Sequence, residues 1–107
     1  MNYKTILLIE DNPSDVNLTR RALERGHLLN ELTVVSDGQE ALDYLFATGA
    51  YAGRDPSDLP SLTLLDLKLP KVSGLDVLKR IRANAKTRRL RVVILTSSGE
   101  EHDLAAS

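Results

Sequence analysis

The sequence predicts an α/β fold built on a parallel sheet, and three observations carry that expectation. Four short apolar runs alternate with amphipathic stretches along 107 residues. The runs are apolar at consecutive positions rather than alternate ones, as in strands covered on both faces. Strands separated by helices call for parallel neighbours joined by crossovers.

The first strand is expected within Tyr3 to Ile9, ending at Glu10-Asp11. Asn12-Pro13 then offers an N-cap followed by proline in the first turn of a helix. Val16, Ala22 and Leu23 supply the apolar stripe of that helix, and Gly26 its stop. A second strand spans Glu31 to Val35 and ends at Ser36. Asp37-Gly38-Gln39-Glu40 has capping-box spacing, and Ala41, Leu42, Leu45 and Phe46 share a face of the helix that follows. Residues 48–61, with two glycines and two prolines, are expected to form a long exposed connection. Leu62-Thr63-Leu64-Leu65 is the third strand and ends at Asp66. Leu75, Leu78 and Ile81 mark a third helix after Ser73-Gly74. Arg91 to Leu95 is the fourth strand, running into Thr96-Ser97-Ser98-Gly99, and Glu100-Glu101 opens a fourth helix.

Composition excludes several classes of function. There is no cysteine, so disulfides, thiolate metal sites and cysteine nucleophiles are ruled out. Lys+Arg number 14 against 15 Asp+Glu, a balance unlike that of a polyanion binder. The basic run Lys86 to Arg91 has no interleaved aromatic and reads as a solvated loop, so no nucleic-acid partner is expected. His27 and His102 have no visible partner and read as surface residues. No apolar run approaches the roughly 20 residues that span a bilayer, and no signal peptide is visible. A cytoplasmic protein without membrane contact is expected.

Chemistry concentrates at the strand ends. The first strand delivers Glu10 and Asp11, the third Asp66, and the fourth Thr96 and Ser97. Ligands of open α/β sheets bind beyond the carboxyl ends of strands, where the strand order reverses. First and third strands adjacent at that point would bring Glu10, Asp11 and Asp66 into one small volume. Three carboxylates repel one another unless a cation compensates them, and Mg²⁺ favours such hard oxygen ligands. A carboxylate beside the ion can attack a phosphoryl donor and become an aspartyl phosphate. The bland alternative for Glu10 and Asp11 is capping of the first helix, but Asn12 is better placed for that.

These residues resemble a bacterial two-component response-regulator receiver domain. The resemblance rests on Ile9-Glu10-Asp11-Asn12, on Leu64 to Pro70 continuing to Gly74, and on Leu95-Thr96-Ser97. It implies a flavodoxin-like doubly wound sheet of order 2-1-3-4, with Asp66 as phosphoacceptor. It also implies Mg²⁺ held by Asp11, Asp66, Glu10 and the main-chain carbonyl of Lys68. Thr96 and Ser97 match the switch and phosphate-contact positions, while Pro70 and Gly74 match the turn-shaping ones. The long connection and the Asp-Leu-Lys-Leu-Pro turn look most like small phytochrome-associated regulators. The implied partner is therefore a sensor histidine kinase, with a bacterial phytochrome as the candidate, and the output is protein–protein contact. No separate substrate turnover is implied beyond the domain's own phosphorylation and dephosphorylation.

The family continues with a fifth strand, a lysine and a fifth helix, whereas the sequence stops at Ser107. Residues 1–107 are thus expected to form one receiver domain, C-terminally incomplete, with no catalytic lysine. The missing layer would come from a longer natural protein or from a partner such as a homodimer mate. The rival reading is a pseudo-receiver, a docking or dimerisation module that is never phosphorylated. A flavin-binding or phosphatase-like enzyme is disfavoured, because the Glu10-Asp11-Asn12-Pro13 turn lacks glycine and places acid where a phosphate wants amides.

Overall fold

The structure is a computed structural model that describes residues 5–26, 30–69 and 72–95. The elements run β1 (Ile6–Ile9), α1 (Pro13–Arg25), β2 (Leu32–Val35), α2 (Gly38–Phe46), β3 (Leu62–Asp66), α3 (Gly74–Ala83) and β4 (Val92–Leu95). A single 3-10 turn, Gly49–Tyr51, interrupts the connection between α2 and β3. The four strands form one parallel sheet in the order β2-β1-β3-β4. The α/β class and the expected order are both observed. Tyr3, Thr96, Ser97 and the helix expected at Glu100-Glu101 lie outside the described residues, as do Pro70, His27 and His102.

Every residue of β1 is buried, because helices cover both faces of the central strands. Leu7, Ile9 and Leu65 pack on one face with Ala41, Leu42 and Leu45 of α2 and Val77 and Ile81 of α3. Ile6, Leu8 and Leu64 pack on the other face, where Val16 and Leu23 of α1 cover them. Burial of each such side chain contributes on the order of 1.5–3 kcal/mol, which is why the consecutive-apolar pattern specifies central strands. At the sheet margin β4 is less covered, and Val93 is 46% exposed.

Two helix stripes differ from the sequence reading. Ala22 is exposed, and Leu75 is 56% exposed, whereas Val77 is buried. A helix turns 100° per residue, so the three-residue spacing of Leu75, Leu78 and Ile81 rotates its members away from one face. Val77 and Ile81, four apart, stay aligned and take the core positions.

The connection 48–61 is also more ordered in its packing than expected. Pro60 is buried, and Tyr51 and Leu59 are partly buried against the core formed with α2. The Tyr51 ring meets Tyr44 edge-on at 5.2 Å between centroids. The Arg54 guanidinium lies 3.8 Å above the Tyr44 ring and donates to the Tyr44 and Asp58 carbonyls. Stacking and hydrogen bonding by one guanidinium hold the segment against α2.

Candidate metal and phosphoacceptor site

Three local devices shape the carboxyl end of the sheet. Glu10 continues β1 past its last strand residue, and its N–H donates to the Val35 carbonyl at 3.0 Å. Asn12 then caps α1, its Oδ1 accepting from the Ser14 N–H at 2.9 Å. The Asn12 N–H in turn donates to Glu10 Oε2 at 3.2 Å, so the cap residue also orients the acid. Since Asn12 does the capping, Glu10 and Asp11 are left available for other work.

Asp66 is the last residue of β3, and the Lys68 N–H donates to its Oδ1 at 3.0 Å. The Lys68 side chain is exposed. The chain then returns so closely that Gly74, the first residue of α3, bonds back from its N–H to the Leu67 carbonyl. A Cβ at Gly74 would stand 2.6 Å from the Asp66 carbonyl oxygen and 2.6 Å from Leu67 Cα. Both neighbours are backbone, so the close approach at this turn requires glycine.

The result is a cluster in which Glu10, Asp11 and Asp66 each offer a carboxylate oxygen within 4.8 Å of the others. Glu10 and Asp66 are only 5% and 4% exposed, whereas Asp11 is exposed at the mouth. Burial pushes the Glu10 carboxyl up to about 7, with Asp66 adding to the effect and the Asn12 N–H opposing it. The three carboxyl groups form a donor set of hard oxygens with no positive charge among them. A small divalent cation fits that chemistry.

The fourth strand reaches the same end of the sheet. Leu95, its last residue, pairs in register with Asp66. Glu40 has contacts beyond the capping role the sequence suggests. Glu40 was expected to complete a capping box with Asp37, whose side chain does accept the Glu40 N–H at 2.7 Å. The Glu40 carboxylate also accepts from the Ser36 N–H at 2.9 Å and from the Tyr51 hydroxyl at 2.7 Å. The i, i+4 spacing from Ser36 and the lone aromatic in the glycine-containing connection are the only sequence signals for this.

Known proteins match nearly the whole chain. Residues 6–107 match the family described as response regulator receiver domain. Response regulator Rcp1 of Synechocystis sp. is 40% identical over 104 residues, covering 97% of this chain and 69% of Rcp1. The structure of Rcp1 in its Mn²⁺-bound form superposes with a TM-score of 0.80 at 39% identity, covering 97% of this chain and 73% of that one. The bacteriophytochrome response regulator AtBRR has a TM-score of 0.85 at 52% identity, covering 99% of this chain and 75% of that one. The phosphorylated cyanobacterial phytochrome response regulator RcpA has a TM-score of 0.80 at 39% identity, with coverages of 97% and 72%. No helix among the described residues is long and apolar enough to cross a membrane.

Proposed function

This chain belongs to the response regulator receiver domain family, and from that premise we propose that it accepts a phosphoryl group on Asp66. The observation that carries the reading is the convergence of Glu10, Asp11 and Asp66 at the carboxyl ends of adjacent strands. In the step, a carboxylate oxygen of Asp66 attacks the phosphorus of a phosphohistidine. The new O–P bond forms as the P–N bond breaks, and the imidazole leaves with the electron pair and takes up a proton. An acyl phosphate remains on Asp66.

The chain's own groups prepare this step. The Lys68 N–H holds Asp66 Oδ1, which orients the carboxylate and leaves its second oxygen for attack. The turn closed by Gly74 fixes the Asp66 backbone. Glu10, Asp11, Asp66 and the main-chain carbonyl of Lys68 are the residues that would hold Mg²⁺. When bound, the ion supplies the positive charge that offsets the oxygens of the transferring group. Thr96 follows Leu95, the register partner of Asp66, and is assigned with Ser97 to contact the phosphoryl group.

In this reading the chain is cytoplasmic and its partner is a sensor histidine kinase. A bacterial phytochrome is the candidate, because RcpA and AtBRR are described as phytochrome regulators. Signal would then leave by protein–protein contact, a local charge change biasing a two-state surface. The test is phosphotransfer from an autophosphorylated bacterial phytochrome kinase to the chain. Label should pass to the wild type in the presence of Mg²⁺ and not to Asp66→Asn. Label on both proteins, or on neither while a known regulator is labelled, would overturn the assignment.

A further inference from the structure

A single peptide unit joins the acidic cluster to the connection between α2 and β3. The Val35–Ser36 peptide presents its carbonyl to the Glu10 N–H at 3.0 Å. The same peptide donates its N–H to Glu40 Oε1 at 2.9 Å. The other carboxylate oxygen of Glu40, Oε2, accepts from the Tyr51 hydroxyl at 2.7 Å. Tyr51 is in turn seated edge-on against Tyr44, the ring over which Arg54 stacks. A chain of bonded groups therefore runs from the 3-10 turn at Gly49–Tyr51, through Glu40, to the backbone of Glu10.

We propose that Glu40 and Tyr51 are positioning residues for the divalent-cation site, making the α2–β3 connection a regulator of cation affinity. The bond from the Ser36 N–H to Glu40 Oε1 fixes the peptide plane. Polarising that N–H also strengthens the carbonyl on the same peptide as an acceptor for Glu10. The Glu10 backbone is thereby held at one height beside Asp66. Mg²⁺ tolerates little departure from octahedral geometry, so a small shift of one carboxylate is felt as affinity. The hydrogen bond to Glu40, and then burial, push the Tyr51 phenol up to about 12, so the hydroxyl keeps its proton at neutral pH. Anything that lifts Tyr51 from α2, such as a protein docking on residues 48–61, would loosen the site.

The inference rests on the cation reading of Glu10, Asp11 and Asp66, and the test separates the two. Mn²⁺ is titrated into wild type, Tyr51→Phe, Glu40→Ala and Glu40→Gln, reading free Mn²⁺ by electron paramagnetic resonance, with folding checked by circular dichroism. Outer partners of metal ligands typically affect affinity 10–100-fold, and at one bond further removed Glu40→Ala should weaken binding about 10-fold and Tyr51→Phe about 3-fold. Glu40→Gln keeps an oxygen for the Ser36 N–H and an amide for Tyr51, and should recover most of the affinity. In the Glu40→Ala background Tyr51→Phe should have no further effect, because the two act in one chain. Folded variants with lowered melting temperatures but wild-type affinity would show a merely structural role and overturn the inference. If Glu40→Ala does not fold, Tyr51→Phe decides alone. A wild type that binds no Mn²⁺ would overturn the cation reading itself, and this inference with it.

Discussion

Glu10 and Asp66 bring carboxylate oxygens within 4.8 Å of each other at the end of the sheet, and both residues are buried. Burial, and then Asp66 beside it, disfavour the ionised form of Glu10, which ties the domain's behaviour to pH and metal.

Burial, reinforced by Asp66, raises the Glu10 carboxyl from an ordinary 4.5 to about 7. A carboxyl with a raised folded-state value favours the folded chain while protonated. Its contribution is complete below about pH 4.5 and is lost as pH rises through about 7, a difference on the order of 3 kcal/mol. Thermal unfolding in metal-free buffer should therefore show a melting temperature falling across that window. Glu10→Gln should flatten the fall, and saturating Mg²⁺ should reverse it in the wild type at pH 8. An unchanged slope in Glu10→Gln would contradict the assignment.

Gly74→Ala tests the turn beneath Asp66. At an ordinary helix position alanine is better than glycine by up to about 1 kcal/mol. Here the added Cβ would press on the Asp66 carbonyl oxygen and Leu67 Cα. The expected result is the opposite sign, a loss of about 1–3 kcal/mol, seen as a lower denaturation midpoint. Stabilisation would show that the turn yields.

Two buried threonines make a matched pair. The Thr87 hydroxyl donates to the Ile81 carbonyl at 2.7 Å near the end of α3, while the fully buried Thr63 hydroxyl has no partner among the described residues. Replacing a hydroxyl by a methyl of similar size removes opposite terms in the two places. Thr87→Val should cost about 1–2 kcal/mol by orphaning a carbonyl, and Thr63→Val should gain about 1 kcal/mol. Urea unfolding of both variants reads the signs, and equal effects would refute the distinction.

The acidic cluster was legible because each apolar run stops at a charged or hydroxylic residue, and parallel strands bring those stops to one end of the sheet. Residues 55 apart, Asp11 and Asp66, meet for that reason alone. The α2 stripe was legible too, since Ala41, Leu42 and Leu45 lie at helical spacing and are buried. Leu75 misled because an exposed leucine and a buried one look alike in sequence, and only helix rotation separates it from Val77. The Glu40–Tyr51 bond spans a connection whose glycines and prolines signal a loop without saying where it folds back. Such contacts come from tertiary packing of one aromatic on another, which no local period encodes.

Phosphorylation of Asp66 with the help of a divalent cation is read by intact-mass spectrometry. The chain is incubated with a small-molecule phosphodonor, with and without Mg²⁺, beside Asp66→Asn. The expected result is a gain of one phosphoryl group that requires Mg²⁺ and is absent from the variant. No gain in folded wild type, or an equal gain in Asp66→Asn, would contradict it and favour a docking module that is never phosphorylated.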